Sequence, residues 1–183
     1  MTHALTRTPV RTALEIALGI GVALAAGLAL PLLIHLIPVE AGPPAGARLL
    51  PIFVALIIAA MRMGLIPVLA IAVAQPFLNQ LLTGRPEGAM AYTLAAELLI
   101  TAGVLLAARR WAPRALPFVA APAYLLAAAI VNLLVSGQGP LATWSFAVAF
   151  QLPGLALLAL TGLLASRGRP SGAPPDRHGE GAS

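Results

Sequence analysis

Six long apolar runs limit what this chain can become. They cover Thr12–Ile37, Leu49–Met61, Gly64–Leu82, Ala89–Ala108, Ala115–Val135 and Leu141–Ala165. Breakers separate them: "PVEAGPPAGAR", "RMG", "TGRPEG", "RRWAPR" and "SGQGP". A helix needs about 20 apolar residues to cross the ~30 Å hydrocarbon core of a bilayer. Lipid offers backbone amides no partner, so such runs must satisfy themselves as helices. The second run makes only about 20 Å of helix. It predicts either a short tilted span or half of a re-entrant pair with the third. The fold class expected is all-α: a polytopic integral membrane bundle of about six transmembrane helices, forming one domain over residues 12–165.

The ends follow from the same reading. The first run is too long for a signal-peptide core and has no obvious cleavage site after it, so it should remain as a span. Residues 1–11 form a short segment before it. The tail from Ser166, "SRGRPSGAPPDRHGEGAS", is rich in Gly, Pro and Ser and is expected to be disordered.

Charge then orients the bundle. Hydrophobic residues make up 60% of the chain and charged residues 9%, so each charge has to be placed with care. The pI of 11.4 would suit a nucleic-acid binder, but the arginines are dealt out singly between apolar runs and form no basic patch. They read as a topology signal, and no nucleic-acid partner is expected. With six spans and a cytoplasmic N-terminus, nine arginines (7, 11, 62, 109, 110, 114, 167, 169 and 177) fall inside and two, Arg48 and Arg85, outside. That is the bias of the positive-inside rule. Both termini are therefore expected in the cytoplasm, with the chain in the cytoplasmic (inner) membrane. The chain has no cysteine, which removes disulfides, thiolate metal sites and cysteine nucleophiles. His3, His35 and His178 lie far apart in this topology, so no metal site is expected.

The polar residues inside the spans converge on one depth. Gln75, Asn79 and Thr83 recur every four residues on span three, with Gln80 beside them. Tyr92, Thr93 and Glu97 open span four. Asn132 and Ser136 close span five, Trp144, Ser145 and Gln151 begin span six, and His35 ends span one. All of these fall in the outer half of the membrane, which predicts a cup open to the outside. Glu97 carries the most information. A carboxylate deep in hydrocarbon costs about 2.5–3.5 kcal/mol on the mildest scale, so it must face protein, water or a ligand. Internal glue, with Arg85 or the span-three amides holding Glu97, competes with ligand contact. Asn79 and Gln80 equally suit capping of carbonyls freed by Pro76, and Gln151 beside Pro153 has the same ambiguity. Asn132 suits interhelical glue, Trp144 an interfacial anchor, and His35 an interfacial hydrogen-bonder. On span one, Ala13, Ala17, Gly21 and Ala25 form a row of small residues that lets another helix approach closely.

The order "LPLLIHLIPVEAG…RLLPIFVALIIAAMRMG…QPFLNQLLTGRPEGAMAYTLAAEL" resembles the substrate-binding (S) components of energy-coupling factor (ECF) vitamin transporters. The "LLTG-x-P" turn is Leu81, Leu82, Thr83, Gly84 and Pro86, followed by Met90, Glu97 and Leu98. The "LP…H" end of span one and the Leu49-Leu50-Pro51 opening also fit, so the resemblance covers about residues 28–108. Relatives often carry Met-His where this chain has Ile52 and Phe53, and Gly-Pro before the third span where it has Met61–Gly64. The resemblance implies a six-helix protein that captures a vitamin-like molecule from outside. It further implies a transmembrane coupling subunit, docked on Ala13, Ala17, Gly21 and Ala25, and two ATPase subunits as partners.

The reading that follows is a binding protein, not an enzyme, with no cofactor. The chain has no lysine and no Walker-type phosphate loop, so energy would come from the partners. Asn79, Gln80, Thr83, Glu97, Asn132 and Gln151 would supply polar contacts to the ligand, with Tyr92, Trp144 and His35 around them. Two alternatives stand beside it: a structural or assembly subunit whose polar groups only lock helices together, and an intramembrane enzyme using Glu97 and His35 as an acid–base pair.

Overall fold

The computed structural model describes residues 9–36, Pro43 and residues 45–167. Eight helices make up this part: α1 (Pro9–His35), α2 (Ala45–Leu49), α3 (Pro51–Arg62), α4 (Leu65–Thr83), α5 (Ala89–Trp111), α6 (Leu116–Ser136), α7 (Pro140–Phe150) and α8 (Leu152–Arg167). No strand occurs among the described residues. Among the described residues, five helical segments are long and apolar enough to cross a membrane, and a sixth crossing is present if the bent α7–α8 pair counts as one. The chain is a multi-pass, all-helical membrane protein. Its first helix starts at Pro9, three residues before the boundary read from the sequence. Most of the expected tail lies outside the described residues, and α8 runs into its first two, Ser166 and Arg167.

The surface is apolar. Leu18, Val22, Ile66, Leu81, Leu134 and Leu141 are each more than three-fifths exposed, as suits a chain whose solvent is lipid.

The short second run turns out to be the hub. α2 and α3 together make an 18-residue segment, Ala45–Arg62, about 27 Å long. Leu50 joins them in the left-handed region, at φ 52° and ψ 40°. Pro51 excludes the ordinary helical conformation at Leu50, so the chain kinks there and restarts with Pro51 in the first turn of α3. The segment is 61% buried, more than any of the other spans, because α3 packs on α1, α4, α5 and α8 at once. A helix surrounded by protein has no need to match the bilayer thickness by itself. The re-entrant alternative does not apply: α3 turns directly into the full-length α4 at Met63–Gly64.

The last run departs from the single span expected over Leu141–Ala165. It breaks at Gln151, and α7 meets α8 at 89°. Pro153 lacks the N–H that would bond the Ala149 carbonyl, and its ring crowds that turn. It sits instead in the first turn of α8, where no donor is required. Close packing holds the restarted helix in place. A Cβ on Gly154 would lie 2.4 Å from the Arg48 carbonyl oxygen, and one on Gly162 would lie 2.7 Å from that of Pro117. α8 therefore rests directly on the α2–α3 joint and on the start of α6.

The arginines at one end also finish helices. Arg109 donates to the carbonyls of Ala60 and Met63 at the C-terminus of α3. Arg62 donates to the Ala165 carbonyl near the end of α8 at 3.5 Å. Both place a cation where the helix dipole is negative. At the opposite end Gly84 and Gly137, with φ 71° and 67°, close α4 and α6 in the left-handed conformation that glycine adopts without penalty.

Candidate functional site

The polar residues expected to line one cup fall into two clusters. The first joins α1, α3 and α4. Pro31 has no N–H, so the Gly27 carbonyl four residues earlier loses its helical donor. Gln75 Nε2 replaces that donor at 3.0 Å and also donates to the Ile52 carbonyl at 3.0 Å. The approach is close: a Cβ on residue 27 would stand 2.3 Å from Gln75 Nε2 and would push that amide off the Gly27 carbonyl. Asn79 Nδ2 donates to the Gln75 carbonyl at 3.1 Å, and Thr83 Oγ1 donates to the Asn79 carbonyl at 2.7 Å. Thr83 also closes the turn at the carbonyl and amide of Arg85. The four-residue row is therefore one face, as the spacing predicted, but its donors are spent on the backbone. Two acceptors are left over: Gln75 Oε1 and Asn79 Oδ1 are buried without a partner.

The second cluster lies where α3, α5, α6 and the α7–α8 break meet. Tyr124 Oη donates to Gln151 Oε1 at 2.8 Å, and Gln151 Nε2 donates to the Ala47 carbonyl at 3.1 Å. The Tyr124 ring stands edge-on to Phe53, with centroids 4.8 Å apart. Glu97 of α5 is half-buried beside this group, near enough to the Tyr124 hydroxyl for the two to interact electrostatically. Its carboxylate has no hydrogen-bond or ion-pair partner among the described residues. Arg85, a candidate to hold it, is exposed in the turn after α4 and does not do so.

The other expected residues are placed as follows. Gln80 and Asn132 are half-buried, and their side chains make no hydrogen bond among the described residues. Trp144 Nε1 donates to the Leu125 carbonyl at 3.3 Å and pins α7 to α6. Tyr92 is exposed and packs edge-on against Phe77 across the α4–α5 seam. His35 ends α1, and its side chain lies outside the described residues. α1 packs on α2, α3 and α4, whereas Glu97 interacts with α6.

Two members of the second cluster, Phe53 and Tyr124, escaped the sequence reading. Tyr124 sat in the wrong half of its span by residue counting, and Phe53 stood out only as a departure from the resemblance. The available signal was a tyrosine among alanines in "AAPAYLLAAA", since a buried Tyr hydroxyl needs a partner.

The small-residue row on α1 resolves clearly. Ala13, Ala17, Gly21 and Ala25 are exposed, and a Cβ on Gly21 would meet nothing within 4 Å. The neighbouring ribbon, Ala23 and Gly27, faces the bundle instead.

The two orphaned acceptors, Gln75 Oε1 and Asn79 Oδ1, belong to the first cluster, whereas the second cluster holds one carboxylate without a donor beside an aromatic pair. The second cluster is suited to holding a molecule that donates hydrogen bonds or carries positive charge. No protein-family model, curated protein or solved structure matches this chain.

Proposed function

We propose that this protein is the substrate-capture subunit of an ECF-type importer, binding a vitamin-like small molecule from the outer side of the cytoplasmic membrane. The observation that carries the reading is Glu97, a carboxylate inside a span that stands half-buried beside Tyr124 and Gln151 with no donor to satisfy it. Left alone in hydrocarbon it would cost about 2.5–3.5 kcal/mol. A ligand donor or cation offsets that cost. The likeness of residues 28–108 to the S components supports the same reading, as does the exposed row Ala13–Ala17–Gly21–Ala25, which offers the coupling subunit a close-packing face. The positive-inside rule puts the arginine-rich end, and both termini, in the cytoplasm beside the two ATPases. Glu97 accepts and has no donor among the described residues, so the ligand is donor-rich or cationic.

The structural-subunit reading has its own support, because Gln75, Asn79 and Gln151 all donate within the bundle. Thermal unfolding in detergent against a panel of water-soluble vitamins and their precursors separates the two. A ligand at 100 times its Kd adds about 2.7 kcal/mol, which raises the transition visibly. A flat panel with well-folded protein favours the structural reading.

A further inference from the structure

The strongest unassigned feature lies at the arginine-rich end, away from the Glu97 cluster. A groove of about 380 Å³ opens between the α3–α4 turn and the end of α5, lined by Met63, Gly64, Leu65, Leu106, Arg109 and Arg110. Arg110 is exposed and has no hydrogen-bond or ion-pair partner among the described residues. Arg62 and Arg114 are exposed nearby in the same end of the bundle. Glu15 of α1 is the acid that the topology brings towards this end, and its side chain lies outside the described residues.

The groove does not stop at the arginines. On α4, Leu65, Leu69, Val73 and Phe77 recur every four residues along one face, and the first three are exposed. On α5, Leu99, Gly103 and Arg110 are exposed along the matching face. The edge-on contact of Phe77 with Tyr92, 5.2 Å between centroids, shows that these two faces border the same seam. Gly103 leaves a notch in it, since a Cβ there would meet nothing within 4 Å. From Leu65 to Phe77 the seam is about 18 Å long, compared with about 15 Å for one leaflet of a ~30 Å core.

We infer that this groove binds one anionic phospholipid, with its phosphate at Arg110 and Arg109 and an acyl chain along the α4–α5 seam past Gly103. The shape is that of an amphiphile: cationic at the membrane surface and apolar along one leaflet. A phosphate accepts from guanidinium groups in bidentate geometry. Basic pockets between spans on the cytoplasmic side attract anionic head groups in this way. The α3 C-terminus already engages Arg109, so that residue is held in position for the headgroup. The inference does not rest on the proposed transport function.

Native mass spectrometry of the full chain, released from nanodiscs of mixed phosphatidylglycerol and phosphatidylcholine, tests it. One phosphatidylglycerol should be retained in preference to phosphatidylcholine. Arg110→Gln should weaken that retention about fivefold, the worth of one cation near the surface, whereas Arg114→Gln, outside the groove lining, should weaken it less. Gly103→Leu, which fills the notch without a clash, should weaken it while the thermal transition in detergent stays in place. Equal retention of both lipids would overturn the proposal, and so would retention indifferent to both Arg110→Gln and Gly103→Leu. If inorganic phosphate or glycerol phosphate displaces the lipid and raises the thermal transition as much as phosphatidylglycerol does, the site takes a soluble anion and the lipid assignment fails.

Discussion

The Gln75 crossing gives the sharpest test of how this bundle is held together. Gln75→Leu keeps the side-chain volume close to native but removes both donations, to Gly27 and to Ile52. Interhelical hydrogen bonds in membrane proteins average about 0.6 kcal/mol and reach about 1.7. Losing two should therefore cost about 1–3 kcal/mol. The cause at Gly27 is specific: its carbonyl is orphaned because residue 31 is proline. Pro31→Ala restores an N–H four residues on, and with it an ordinary helical partner for that carbonyl. Gln75→Leu should then cost about one hydrogen bond less in the Pro31→Ala background than in the native one. Reversible unfolding in mixed detergent micelles, run as a four-member double-mutant cycle, reads that difference directly. Equal costs in the two backgrounds would refute the account, because Gln75 would then not be serving the carbonyl that Pro31 frees.

Other expectations follow from the same packing. Gly162→Val puts a Cβ 2.7 Å from the Pro117 carbonyl oxygen and should destabilise the α6–α8 contact by about 1–3 kcal/mol in the same unfolding assay. Gly21→Leu enters open space, so it should change stability by less than about 0.5 kcal/mol yet abolish co-purification with a coupling subunit. Arg109→Met strips the donors from Ala60 and Met63 and should cost about 1.5–3 kcal/mol, as hydrogen bonds from a charged group do.

The bilayer made the architecture readable. Runs such as Ala89–Ala108 and Ala115–Val135 had to be helices because lipid solvates no backbone, and α5 and α6 lie there. Sequence alone did not show that Arg109 and Arg62 close neighbouring helices. What escaped was tertiary. The segment "AGARL" reads as loop until α8, through Gly154, packs against it and makes it the first turn of a kinked span. Pro153 signalled a disturbance, but nothing local distinguishes a mild kink from an 89° break. The polar residues could be assigned a depth by counting, but not a side. Gln75 and Asn79 went to the α1–α3–α4 seam, while Glu97 went to Tyr124 and Gln151, because which helices touch is fixed by the packing of all eight.

The central claim is that Glu97 faces a ligand instead of cementing helices. The measurement that tests it most directly is calorimetric titration of native protein and Glu97→Gln with whichever vitamin or precursor raises the thermal transition, alongside the unfolding of both proteins without ligand. The account predicts that the unliganded Glu97→Gln protein unfolds at or above the native temperature, since a buried charge without a partner has been removed, and that its Kd rises about tenfold or more, the loss of one charge-assisted hydrogen bond. Unchanged affinity in a folded variant, or a variant that no longer folds, would contradict it.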